Sequence, residues 1–246
     1  MRLILSLIML LFFACDNNDN FEDIYSNSWV FVANEGNMGS SDGTISMISE
    51  NGYVLSTDYI GEVVNSIEVY NDKLVVIING GQNLVPGDSK IKIFDITTSG
   101  LSMPGIEINL DNSSPREMVI VDGMVYFTNW NTSDIKVLNL YTYNIDASIL
   151  VGSMPEDIIT DGTSLWVANS GSSTVQEIDI ASHNVVYTHF VDEGPQSLAM
   201  SDGAIYVSRT YYSPDWSETY HGASKIVEND VIINTYGSGS PCGGSI

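Results

Sequence analysis

Residues 155–180 read PEDIITDGTSLWVANSGSSTVQEIDI. Three short apolar runs lie within it, each too brief for an ordinary helix, and an Asp-Gly pair separates the first from the second. Asp-Gly between such runs is a strong hairpin signal, because both residues tolerate the positive φ of a type I′ turn. A second polar gap, SGSST, separates LWVAN from VQEIDI. The stretch therefore predicts three consecutive antiparallel strands.

The same order recurs along the chain. VFVAN (30–34), VVIIN (75–79), VYFTN (125–129), LWVAN (165–169) and IYVSR (205–209) end 45, 50, 40 and 40 residues apart. Each leads across a polar gap to a further run: ISMI (45–48), IKIFDI (91–96), IKVLNL (135–140), VQEIDI (175–180) and SKIV (224–227). PREMVIVDG (115–123), PEDIITDG (155–162) and PQSLAMSDG (195–203) precede the last three pairs and set Pro115, Pro155 and Pro195 at intervals of 40. A weaker fourth run, such as NVVYTHFV (184–191), completes the unit. Four short strands in a repeat of about 40–45 residues are the signature of a β-propeller blade. No window shows sustained helical spacing, so the expected fold is all-β: a β-propeller of four-stranded antiparallel blades. Blades are expected over 28–60, 61–111, 112–152, 153–192 and 193–240, with 241–246 starting another. About five blades of a six- to eight-bladed ring is the first expectation; the alternative is that the last residues supply the missing first strand and close a five-bladed ring.

Eight Lys and Arg face 31 Asp and Glu, a formal net charge of −23. Such a chain repels phosphate backbones and anionic lipid headgroups, which argues against a nucleic-acid partner and against electrostatic membrane docking. The apolar stretch from Leu3 to Phe13, after Arg2, is shorter than the roughly 20 residues a spanning helix needs, and residues 1–14 read as a secretory signal peptide. LFFAC (11–15) resembles the lipobox of bacterial lipoprotein signals, which implies lipidation of Cys15 and an acidic tether over 15–27. Membrane contact is then expected only through the lipid anchor. DNNDNFED (16–23) resembles the acidic signal that sends lipoproteins to the cell surface in Bacteroidetes-type bacteria. Besides Cys15 the chain holds only Cys242, so no disulfide framework is available.

Within a meander, first-to-second strand turns lie on one face of the ring and second-to-third loops on the other. The former are tight (71–72, 122–123, 161–162, 202–203), whereas the latter vary: 35–44, 80–90, 130–134, 170–174 and 210–223. Length variation confined to one face marks a working surface on a scaffold. Those loops carry Trp130 and, in TYYSPDWSETYHGAS (210–224), Tyr211, Tyr212, Trp216, Tyr220 and His221. Aromatic loops rich in Asn and Gly suit a flat or polyhydroxylated ligand. Arg209 stands where the other blades have Asn34, Asn79, Asn129 and Asn169, which makes it the candidate partner for an anionic or carbonyl group. The Asn residues themselves suit turn geometry and backbone satisfaction. His221 with Asp215 and Glu218 is the one arrangement that could hold a cation or move a proton; no nucleophile-elbow, P-loop or dinucleotide motif is present.

The repeat resembles the YVTN family of β-propellers, with VYFTN and LWVAN in place of YVTN and VQEIDIAS (175–182) in place of its third strand. More locally, VANEGNMGSSDGTISM (32–47) resembles the first blade of surface propeller lipoproteins of Bacteroidetes, a group that includes a vitamin B12-binding protein. That resemblance implies an outer-membrane lipoprotein that captures a corrinoid-like ligand for a TonB-dependent transporter, with Asn34, Glu35 and Asn37 in its first loop. The expected function is thus ligand binding without catalysis and without a resident cofactor. Alternatives are a protein-protein interaction scaffold and, third, a propeller hydrolase or lyase.

Overall fold

The structure is a computed structural model that describes residues 28–80 and 89–238. The expected signal peptide, Cys15, the acidic tether, residues 81–88 and the expected final strand at 241–246 lie outside the described residues. Among the described residues every regular element is a strand. The first sheet holds β1 (Trp29–Asn34), β2 (Thr44–Ser49) and β3 (Val54–Ser56). The second holds β4 (Val63–Tyr70), β5 (Lys73–Asn79), β6 (Lys90–Thr97), β7 (Gly100–Leu101) and β8 (Ile106–Asn109). β9 (Pro115–Val121), β10 (Met124–Asn129), β11 (Asp134–Asn139) and β12 (Asn144–Leu150) form the third. β13 (Pro155–Thr160), β14 (Ser164–Asn169), β15 (Thr174–Asp179) and β16 (Asn184–Phe190) form the fourth, and β17 (Pro195–Ser201), β18 (Ala204–Tyr212), β19 (Thr219–Val227) and β20 (Asp230–Ser238) the fifth. Each sheet is an antiparallel meander, and the first strands of successive sheets, β4, β9, β13 and β17, touch in chain order. This is a β-propeller.

Local chemistry sets the meander. Asp122 and Gly123 (φ 50° and 77°) and Asp202 and Gly203 (φ 50° and 73°) form two-residue hairpins whose positive φ values match the strand twist. Alternation then sorts the side chains. On β5, Leu74, Val76 and Ile78 pack with Ile45 and Met47 of the first sheet, while Val75 and Ile77 pack with Val125 and Phe127 of the third. Both faces of the strand are buried, which is why LVVII is continuously apolar. The third and fourth sheets meet through Tyr126, Ile135, Leu165 and Val167, and the fourth and fifth through Ala168, Val175, Ile205 and Val207.

Polar groups stitch the inner ends of the sheets together. Asn65 Nδ2 donates to Pro115 O (3.1 Å), Thr128 Oγ1 to Glu156 O (2.9 Å), and the Leu198 N–H to Asp157 Oδ2 (2.6 Å). The Asn residues closing the second strands belong to the same framework. Asn129 is fully buried, accepts from the Ser114 N–H (2.7 Å) and donates to Thr132 Oγ1 (2.6 Å) and Asp134 Oδ1 (3.1 Å). Asn169 donates to Thr174 Oγ1 (3.2 Å) and Gln176 Oε1 (3.1 Å).

Arg209 differs from its sequence reading. It is 1% exposed and spends its guanidinium inside the fifth sheet, donating to Glu193 O (3.2 Å) and Asn234 O (3.0 Å), with Asp192 at 3.2 Å. It takes the structural place of the Asn residues at greater reach. Its partner across the ladder is Gly222, where a Cβ would lie 2.4 Å from Arg209 Nη2 and 2.7 Å from Asn234 O. Gly222→Ala should therefore lower stability by about 1–3 kcal/mol, read as the midpoint of denaturant unfolding. In an Arg209→Asn background the added cost should shrink, because the nearer obstruction is gone.

Candidate ligand-binding groove

A groove of about 700 Å³ opens on the face that carries the second-to-third strand loops, across the third, fourth and fifth sheets. Its floor comes from the residues that directly follow the three repeated prolines: Arg116 on β9, Glu156 on β13 and Gln196 on β17. The strands shift register beside these prolines, between Phe127 and Asn129, Pro155 and Ile158, and Pro195 and Leu198. The walls are Trp130, the turn containing Ser170, Gly171 and Ser173, and the hairpin from Thr210 to Trp216.

That hairpin corrects the sequence reading. The 14-residue loop expected over 210–223 is mostly ladder, since β18 continues to Tyr212 and β19 begins at Thr219, leaving 213–218 as the loop. Pairing is driven across the strands. Tyr211 lies opposite Tyr220, with rings stacked at 5.2 Å and 16°, and Thr210 lies opposite His221. The tip is held by the Asp215 carboxylate, which accepts from Ser213 Oγ (2.7 Å), Ser217 Oγ (2.8 Å) and the Ser217 N–H (3.2 Å); these bonds pull its pKa down to about 2. Trp216 folds back onto Tyr212 at 5.0 Å, yet the two are 76% and 46% exposed. At the base, Gly194 (φ 70°) is indispensable: a Cβ there would fall 2.1 Å from Thr210 O, and the Thr210 N–H donates to Gly194 O (2.8 Å).

The central charges of the groove are paired. Arg116 donates through Nε (3.1 Å) and Nη2 (2.8 Å) to Glu156 Oε1, and its guanidinium lies 4.6 Å from the Trp130 ring centroid. Trp130 Nε1 is buried without a hydrogen-bond partner. Beside this pair on β9, burial drives Glu117 up to about 7; a hydrogen bond from Ser66 opposes that rise, and Asp157 reinforces it. Burial also raises Asp157 and Glu68.

Of the residues selected from sequence, Trp130, Tyr211, Tyr212 and Trp216 line this groove. His221 sits behind it, with Nδ1 3.4 Å from Thr210 Oγ1. Asp215 is taken by the loop serines and Glu218 by the Tyr220 hydroxyl; among the described residues no three His, Cys, Asp or Glu side chains gather as a metal would require. The first-sheet loop closes on itself elsewhere. Asn34 Nδ2 donates to Thr44 Oγ1 and Ser46 Oγ (both 2.9 Å), Asn37 binds both oxygens of Asp42 (2.6 and 2.8 Å), and the Glu35 carbonyl accepts from the Val64 N–H (2.9 Å). Asn34, Glu35 and Asn37 thus lie apart from the groove. Arg116, Glu156, Gln196 and Gly194 escaped the sequence reading, although the 40-residue spacing of the prolines beside the first three marks their position.

No known family profile matches this chain, and no curated protein sequence matches it. Solved structures do. Hydrazine synthase of Kuenenia stuttgartiensis superposes with a TM-score of 0.62 at 15% identity, over 77% of this chain and 59% of that one. A Bacteroides uniformis protein named as a candidate 6-phosphogluconolactonase gives 0.63 at 12% identity, over 85% and 68%. A Bacteroides caccae protein of unknown function gives 0.54 at 15%, over 86% and 83%. The chain spans less than two thirds of the hydrazine synthase chain, and at these identities the likeness is one of fold.

The buried carboxyls give a test of the framework. Glu117 ionises near 7 when folded and near 4.5 when unfolded, so the folded state holds the extra proton and stability falls as pH rises through that window. Asp157 and Glu68 act with the same sign. Glu117→Gln should flatten the fall between pH 5 and pH 7 and leave the protein about 1–3 kcal/mol more stable than wild type at pH 8, by denaturant titration across pH.

Proposed function

We propose that this protein is a ligand-binding β-propeller of the bacterial cell envelope, which captures a small molecule in the groove and does not transform it. The observation that carries the reading is the groove itself: aromatic faces and uncharged polar groups surround the Arg116–Glu156 ion pair, with Glu193 at the edge. Its volume falls within the usual range for small-molecule sites. On this reading Cys15 carries the lipid anchor, and a TonB-dependent transporter of the outer membrane receives the ligand. A corrinoid is the ligand implied by the first-blade resemblance.

Lactone hydrolysis, suggested by the name of the Bacteroides uniformis neighbour, fits less well. A phosphorylated sugar lactone needs an excess of cations, whereas the groove sets Arg116 against Glu156 and Glu193, and Arg209 is sealed inside the fifth sheet. His221, Asp215 and Glu218 do not converge. No turnover of 6-phosphogluconolactone is expected.

Calorimetric titration with cyanocobalamin tests the corrinoid assignment. A saturable one-to-one heat, weakened at least tenfold by Trp216→Ala and left unchanged by Arg209→Asn, supports it. Heat that is indifferent to Trp216→Ala moves the site off the groove. Absence of heat, together with co-purification of an outer-membrane protein, replaces capture with an interaction scaffold.

A further inference from the structure

Resting on the binding reading above, we infer that the groove is built for a neutral saccharide. Charge is the first argument. Among the described residues one cation, Arg116, and two carboxylates, Glu156 and Glu193, line it within a chain of net charge −23, so an anionic ligand meets net repulsion. Ring geometry is the second. The exposed hairpin aromatics Tyr212 and Trp216 stack at 28°, which makes one flat wall rather than the converging box that encloses an ammonium group. A flat, exposed aromatic face suits the apolar C–H face of a pyranose, whose hydroxyls then point sideways.

The floor supplies what those hydroxyls need. Both Arg116 bonds to Glu156 fall on Oε1, which leaves Oε2 as an acceptor and the remaining guanidinium N–H groups as donors, side by side. Adjacent hydroxyls on a sugar can donate to the first and accept from the second. Gln196 adds an amide with both functions. The Arg116 guanidinium is held 4.6 Å from the Trp130 ring centroid and by its two bonds to Glu156, so its donors are positioned before any ligand arrives.

The test uses the full chain with maltotriose, cellotriose, mannotriose and N,N′,N″-triacetylchitotriose, alongside glucuronate, choline and cyanocobalamin, by calorimetry and tryptophan fluorescence. The inference expects at least one neutral trisaccharide to give saturable heat and to shift the fluorescence. Its affinity should fall at least tenfold in Trp216→Ala and at least threefold in Glu156→Gln, and hold in Tyr59→Ser, which changes an equally exposed aromatic residue outside the groove. Trp216 is 76% exposed, so its replacement leaves the fold intact; far-UV circular dichroism and the thermal midpoint check the Glu156 variant. Trp216-dependent binding of choline, glucuronate or cobalamin without saccharide binding overturns the saccharide inference and leaves the binding-protein reading standing. Saccharide binding that neither groove variant weakens also overturns it. Silence from all seven compounds overturns both.

Discussion

Two adjacent sheets of this propeller share an apolar layer that neither could bury alone. Between the second and third sheets the layer is Val75, Ile77, Ile91 and Ile93 against Met118, Val125, Phe127 and Leu138. Each such side chain contributes about 1.5–3 kcal/mol on leaving water, and the layer forms only when both sheets are present. Everything else in the molecule depends on this repetition: the angle between sheets, the convergence of the first strands, and the clustering of their connecting loops on one face.

Polar specificity is added at the inner ends, where the sheets converge. Asn65, Thr128 and Asp157 each reach a backbone group of the next sheet, so buried backbone atoms are paired across the seam. The register shifts beside Pro115, Pro155 and Pro195 accompany a following residue that lines the groove while its neighbours serve the seam. Groove and scaffold are therefore consecutive residues of the same strands. Glu117 makes the tension visible, since it sits where the seam wants a hydrogen-bond partner but burial disfavours its charge.

The fifth sheet shows how a repeat acquires individuality. Arg209 replaces Asn, Gly222 makes room for it, and the hairpin above extends through Tyr212 and Thr219 into a wall that the third and fourth sheets lack. One long buried cation and two extended strands turn a repeating unit into one side of a cavity. His189 of the fourth sheet serves packing: its ring lies 5.5 Å from Trp166 and 4.5 Å from Tyr187, and burial holds it below its ordinary pKa.

Sequence by itself determined the architecture, because period, turn chemistry and apolar alternation are local properties repeated often enough to be unambiguous. Asp-Gly at 122–123 and 202–203, the prolines 40 residues apart, and the doubly buried run LVVII each specify a strand or turn without knowledge of distant residues. It also found the aromatic half of the groove, since Trp130 and Trp216 stand out in polar loops. Tertiary structure alone decided which polar residues meet there. Arg116 and Glu156 lie 40 positions apart and become partners because neighbouring first strands converge, whereas Arg209, outstanding in sequence, is drawn inward by the carbonyls of Glu193 and Asn234. Whether a charge faces solvent or backbone depends on what the next strand places beside it, and no spacing along the chain records that.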